Sequence, residues 1–81
     1  MITIEKAFEL AQKANITGIP LSRTADETAG YWCFYYDTDE VLIGLLPIAV
    51  NKKDGKIWGV FYPEHADELD NAKQIEVPGA L

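Results

Sequence analysis

Three features of this 81-residue sequence predict an α+β fold, with an N-terminal helix packed on one face of a mostly antiparallel sheet of four to five strands. Ile4, Ala7, Phe8, Ala11 and Ala14 recur at helical spacing. Residues 31–36, Tyr-Trp-Cys-Phe-Tyr-Tyr, form an unbroken run suited to a pleated surface. Residues 51–55 end in Asp54-Gly55, a hairpin signal between two further apolar segments. The predicted order is α-β-β-β-β-α-β in one domain over residues 1–81.

The first helix is placed at residues 4–14. Thr3 is its N-cap, Glu9 and Lys13 form an i,i+4 pair, and its alanine-rich face permits close packing on a sheet. Residues 15–18 end it. A short strand follows at residues 19–23. Pro20 cannot donate to a ladder, which points to a strand that lies at an edge or enters from one. Residues 24–30 are polar and loop-like, and residues 31–36 are the strongest strand. An acidic turn, Asp37-Thr38-Asp39-Glu40, comes next. Residues 41–44 then lead into a strand over 46–50, and the return strand spans 56–62. Pro63 stops that strand and suits the first turn of an acidic helix over 64–69, with carboxylates near its positive end. Residues 75–77 are a brief last strand before Pro78-Gly79.

Composition narrows the function classes. There are 13 Asp and Glu against 7 Lys and Arg, a net charge of −6. That balance argues against binding nucleic acid or an anionic membrane surface, both of which require a basic patch. No apolar run approaches the length of a membrane span, and the N-terminus has no signal-peptide pattern. With a single cysteine, Cys33, no internal disulfide is available, and a reducing cytoplasmic location is expected.

The motifs offer little chemistry. Residues 37–40 begin like a calcium loop but fail at Val41, Leu42 and Ile48, where ligands or glycine are required. His65 has only Glu68 beside it on a helix face, too few ligands for zinc. Cys33 has no neighbouring base and reads as a buried, inert thiol. Ser22 lacks a nucleophile-elbow context, and the glycines are too scattered to cradle phosphate. No catalytic, cofactor-binding or metal-binding residue is therefore assigned.

Surface chemistry is more informative. Along residues 31–36, Trp32, Phe34 and Tyr36 point one way and Tyr31, Cys33 and Tyr35 the other. In the return strand Ile57, Gly59 and Phe61 alternate with Trp58, Val60 and Tyr62. Both sheet faces are thus apolar or aromatic, while the long helix can cover one. Either the last strand, short helix or loops cover the second face, or it is a patch for a partner or a second copy. The candidate partner-binding residues are Tyr31, Tyr35, Trp58 and Tyr62 on that face, Asp37, Asp39 and Glu40 in the acidic turn, and Glu64, Asp67 and Glu68 on the second helix. An acidic surface of this kind suits a basic partner.

A family resemblance is carried by several short motifs in order. Met-Ile-Thr leads into a helix containing Ala7-Phe8. A W-x-F-x-Y strand follows (Trp32, Phe34, Tyr36), then G-x-x-P-I-x-V (Gly44, Pro47, Ile48, Val50), then a polar turn ending in Asp54-Gly55, and Ile57. Over about residues 1–60 the chain resembles the YrhB-like family, also known as immunity protein family 35. The resemblance implies a small bacterial cytoplasmic protein, not an enzyme, that neutralises a cognate polymorphic toxin by direct binding. It also implies an alternative, a chaperone-like or homo-oligomeric interaction module. Residues 61–81 follow no pattern of that family.

Overall fold

A computed structural model describes residues 1–39 and 45–78. Its elements run α1 (Ile4–Ala14), β1 (Leu21–Glu27), β2 (Tyr31–Tyr36), β3 (Ile48–Asn51), β4 (Ile57–Gly59), α2 (Tyr62–Asp70) and β5 (Lys73–Glu76). The order is the predicted α-β-β-β-β-α-β, and the fold is α+β. The five strands form one antiparallel sheet in the order β4-β3-β2-β1-β5. The strongest strand of the sequence is thus the central one.

Helix α1 begins where Thr3 Oγ1 accepts the Lys6 N–H at 3.2 Å. Asn15 closes it. Its N–H donates to the Ala11 and Gln12 carbonyls, its Nδ2 donates to the Ile19 carbonyl at 2.6 Å, and its Oδ1 accepts from the Thr17 hydroxyl and N–H. The buried stripe of α1, Ala7, Phe8 and Ala11, faces the sheet. Small residues at 7 and 11 let the helix approach, and Phe8 reaches Phe34 with ring centroids 5.7 Å apart. Leu21, Ala25, Trp32, Ile48, Val50 and Val77 complete this core.

The hairpin joining β3 to β4 is set by polar side chains on their own backbone. Asn51 Oδ1 accepts the Lys53 N–H, and Asp54 Oδ1 accepts the Lys56 N–H. Gly55 follows at φ +77°, and a Cβ there would stand 3.0 Å from Leu10 Cδ1 of α1. The turn therefore needs glycine for its backbone and for its closeness to the helix.

Several boundaries differ from the sequence expectation, each for a physical reason. Strand β1 extends through residues 24–27, which were expected to be a loop, and it lies between β2 and β5 rather than at an edge. Its only buried side chains are Leu21 and the small Ala25, and the register with β2 shifts between them, so the alternation is faint. Pro20 precedes the strand, so its missing donor costs no ladder bond. The return strand is only three residues long. Phe61 and Tyr62, expected within it, are the N-cap and first residue of α2, with Pro63 in the first turn. The lead-in at residues 41–44 lies outside the described residues.

The second face is not left bare by a single covering helix. Helix α2 returns over it, placing Leu69 with Val60 against Tyr31, Cys33 and Ala49, while Tyr35 and Trp58 pack at the margin. The domain has three layers: α1, sheet, α2.

These cores set an expected ranking of stability. Phe34 is fully buried and Ile16 is 94% exposed. Replacing Phe34 with Ala should cost about 3–5 kcal/mol, enough to unfold a domain of this size, whereas Ile16→Ala should change stability by less than about 0.5 kcal/mol. Urea unfolding followed by Trp fluorescence measures both.

Candidate functional site

The candidate surface is the face of the sheet opposite α1, because strand alternation collects there the aromatic residues that α1 does not use. On β2 those are Tyr31, Cys33 and Tyr35. Cys33 pairs with Ala49 and Ala49 with Trp58, so the row continues across β3 and β4. On the other side, Cys33 pairs with Asp26 of β1, and Asp26 with Gln74 of β5. The face thus passes from aromatic at β4 to polar at β5.

Helix α2 closes the aromatic half. Tyr31 is 5% exposed, and its ring meets Trp58 edge-on at 5.1 Å and the His65 imidazole at 6.0 Å. Its hydroxyl donates to Glu68 Oε1 at 3.5 Å, the same oxygen that lies 2.9 Å from His65 Nδ1. Burial and the Glu68 carboxylate push the Tyr31 phenol up to about 12. Cys33 is fully buried, and burial pushes its thiol up to about 11. A thiol held in its neutral form is a poor nucleophile, which fits the inert role read from sequence.

The polar half is open. Ser22, Thr24, Asp26, Tyr35, Asp37, Thr38 and Gln74 line a shallow groove of about 320 Å³. The Tyr35 hydroxyl donates to Asp26 Oδ2 at 2.7 Å, and burial together with this bond raises the phenol above its ordinary range. Thr24 and Glu76 are register partners on the same side of β1 and β5.

Two groups of the predicted residues are brought together. Tyr31, Trp58 and Glu68 form one contact set under and beside α2, and Tyr35 joins Asp37 at the groove. Tyr31 is a core residue of the second face rather than an exposed anchor. Tyr62 does not lie on the sheet face at all. It is half-exposed at the start of α2, where its hydroxyl donates to Asp70, which raises its phenol pKa. Asp37 and Asp39 are in the turn after β2, exposed, and Glu40 lies outside the described residues. Glu64, Asp67 and Glu68 are exposed on α2. Sequence reading missed Asp26 and Glu76. The signal available was the alternation Thr24-Ala25-Asp26 around a buried alanine, which is weak because alanine contributes little apolar area.

Charge is sorted between the two sides of the sheet. Arg23 stands over the Phe8 ring at 5.1 Å, and Lys52 stands over Trp32 at 5.3 Å while pairing with Glu27 at 3.0 Å. Lys52 and the Trp32 Nε1–H hold the Glu27 carboxyl below its usual range. Lys73 pairs in register with Glu27, and Lys6 and Lys13 flank Glu9 on α1. Five of the cations thus belong to the α1 side. Asp26 and Glu76 on the open face, with Glu64, Asp67, Glu68 and Asp70 on α2, belong to the other. Among the described residues no group of three or more His, Cys, Asp or Glu is arranged to hold a metal, and no helix is long and apolar enough to cross a membrane.

The neutral forms of Tyr31 and Cys33 are the ones the fold holds. Their contribution is complete below the ordinary values of 9 to 10 and is lost as pH rises toward 11–12. Stability should therefore fall steeply across that alkaline range. Tyr31→Phe should flatten the fall, as followed by circular dichroism against pH. Cys33 in the folded protein should resist a thiol reagent at neutral pH and react fully in denaturant.

Comparison of the chain with protein-family models, with curated proteins and with solved structures finds no match to any of them.

Proposed function

We propose that this chain is a non-enzymatic binding protein whose acidic side receives a basic protein partner, and that the partner is a cognate toxin neutralised by occlusion. The observation that carries this reading is the sorting of charge across the sheet. Five cations are drawn to the α1 side, leaving an open face and a helix surface that carry carboxylates: Asp26, Glu76, Glu64, Asp67, Glu68 and Asp70. Such a surface speeds encounter with a basic partner and disfavours acidic ones. Tyr35 and Gln74, between those carboxylates, supply an aromatic ring and an amide able to contact a docked chain. The toxin reading and a bacterial cytoplasmic setting come from the resemblance to the YrhB-like family.

A second reading, a chaperone-like or homo-oligomeric module, is favoured by one observation. Leu45, Leu46, Phe61 and Tyr62 are exposed apolar residues that flank the β3–β4 pair, just before β3 and just after β4. It predicts that the protein suppresses aggregation of unrelated denatured clients.

Co-expression with the toxin encoded beside the gene should restore growth, and the two proteins should co-elute on gel filtration. The double variant Glu64→Lys/Asp67→Lys should slow association several-fold and weaken its salt dependence. Continued growth arrest together with separate elution contradicts the toxin reading. Client protection in its place favours the second.

A further inference from the structure

The two edges of the sheet are protected very differently. At β5 the edge carries Lys73, Gln74 and Glu76, all exposed, and Pro78 follows. Charges and proline of this kind deter another strand from pairing. At β4 the edge reads Ile57-Trp58-Gly59, with no charge and no proline. Its hydrogen-bond register is set by the Asn51 N–H donating to the Lys56 carbonyl at 2.8 Å and the Val60 N–H donating to the Pro47 carbonyl at 2.9 Å. Alternation then turns the backbone of Trp58 toward β3 and the N–H and C=O groups of Ile57 and Gly59 outward. Among the described residues no strand pairs with them.

Charge along this edge is polar in the geometric sense. Lys53 and Lys56, both exposed and without an ion pair among the described residues, precede β4. The carboxylates of Glu64, Asp67, Glu68 and Asp70 follow it on α2. An antiparallel partner strand with the same polarity sets its basic end beside this acidic end, and the reverse at the other end. A second copy of this chain has that polarity by construction.

We propose that β4 is a self-association edge at which two copies join their sheets antiparallel about a two-fold axis at Trp58. In this register Ile57 of each copy faces Gly59 of the other, and each such pair exchanges two main-chain hydrogen bonds, four in all. The two Trp58 residues become direct cross-strand neighbours on the α2 side of the sheet, the closer of the two antiparallel pair types. Lys56 of one copy comes beside Val60 and the start of α2 in the other, within reach of Glu64. Phe61, half-exposed in the single chain, comes opposite Gly55 of the second copy, where no side chain obstructs it. The joined sheet has ten strands, and its two remaining edges are the charge-protected β5 strands. The open acidic half of the sheet, at β1 and β5, lies away from this junction, although Glu64 on α2 belongs to both surfaces. Lys56→Glu and Ile57→Pro, at positions outside the acidic surface, are the variants that separate self-association from toxin docking.

Sedimentation velocity over a concentration series tests this on the full chain. The wild type should be dimeric, with a dissociation constant that rises with salt. Lys56→Glu, at an exposed position where folding is undisturbed, should weaken the dimer about tenfold, since the substitution acts at both symmetric contacts. The double variant Lys56→Glu/Glu64→Lys should recover most of that loss. Ile57→Pro should abolish the dimer by removing an outward N–H from each copy. Circular dichroism checks its fold, and if it does not fold the charge pair decides alone. A wild type that stays monomeric throughout, or a dimer indifferent to Lys56→Glu, overturns the proposal.

Discussion

The structure depends on burying one strand from both sides. Tyr31, Trp32, Cys33 and Phe34 of β2 are consecutive and all buried. Consecutive strand residues point to opposite faces, so this burial cannot be met by one helix. Helix α1 takes Trp32 and Phe34, and α2 takes Tyr31 and Cys33. With no disulfide, an 81-residue chain has little other means of removing apolar area from water. The position of β2 at the sheet centre, the return of the chain through α2 and the placement of β5 on the far side all serve that constraint.

The same constraint shapes the surface. Helix α2 is short and reaches only the β2–β4 half of its face, so the β1–β5 half stays open and carries Thr24, Asp26, Gln74 and Glu76. The cations are drawn to the other side by rings and carboxylates there: Arg23 by Phe8, Lys52 by Trp32 and Glu27. Cover of the aromatic half and exposure of an acidic half are thus two results of one packing arrangement. Tyr31 shows the exchange most clearly. Its ring is core, and its hydroxyl is the point at which the core touches the acidic surface of α2, through Glu68.

Much of the fold was legible in the sequence where large side chains repeat with a clear period. The limits of α1 follow from Ile4 to Ala14 and the Thr3 cap. The two faces of β2 follow from simple alternation, and the β3–β4 turn from Asp54-Gly55. What was not legible depends on contacts distant in sequence. The polar half of β1 looks like a loop because its partners, β2 and β5, supply the ladder, and its inward residue Ala25 is small. The end of β4 was misplaced because Phe61 and Tyr62 have strand-like side chains, while Pro63 starts a helix whose first residue is Tyr62. That choice of helix over strand moved Tyr62 off the sheet face. The candidate acidic residues on α2 were readable as a charge run. Asp26 was not, because its place beside Tyr35 exists only once β1 and β2 are paired.

The claim that β2 is held from both faces is tested most directly by native-state hydrogen exchange resolved by residue. The account predicts that the amides of Trp32, Cys33 and Phe34 are the slowest in the protein and exchange only through global unfolding, while β5 and the exposed turns of α2 open by smaller local events. Amides of β2 that exchange as fast as those of β5 would contradict it, because a strand sealed by two helices cannot open as freely as a charged edge.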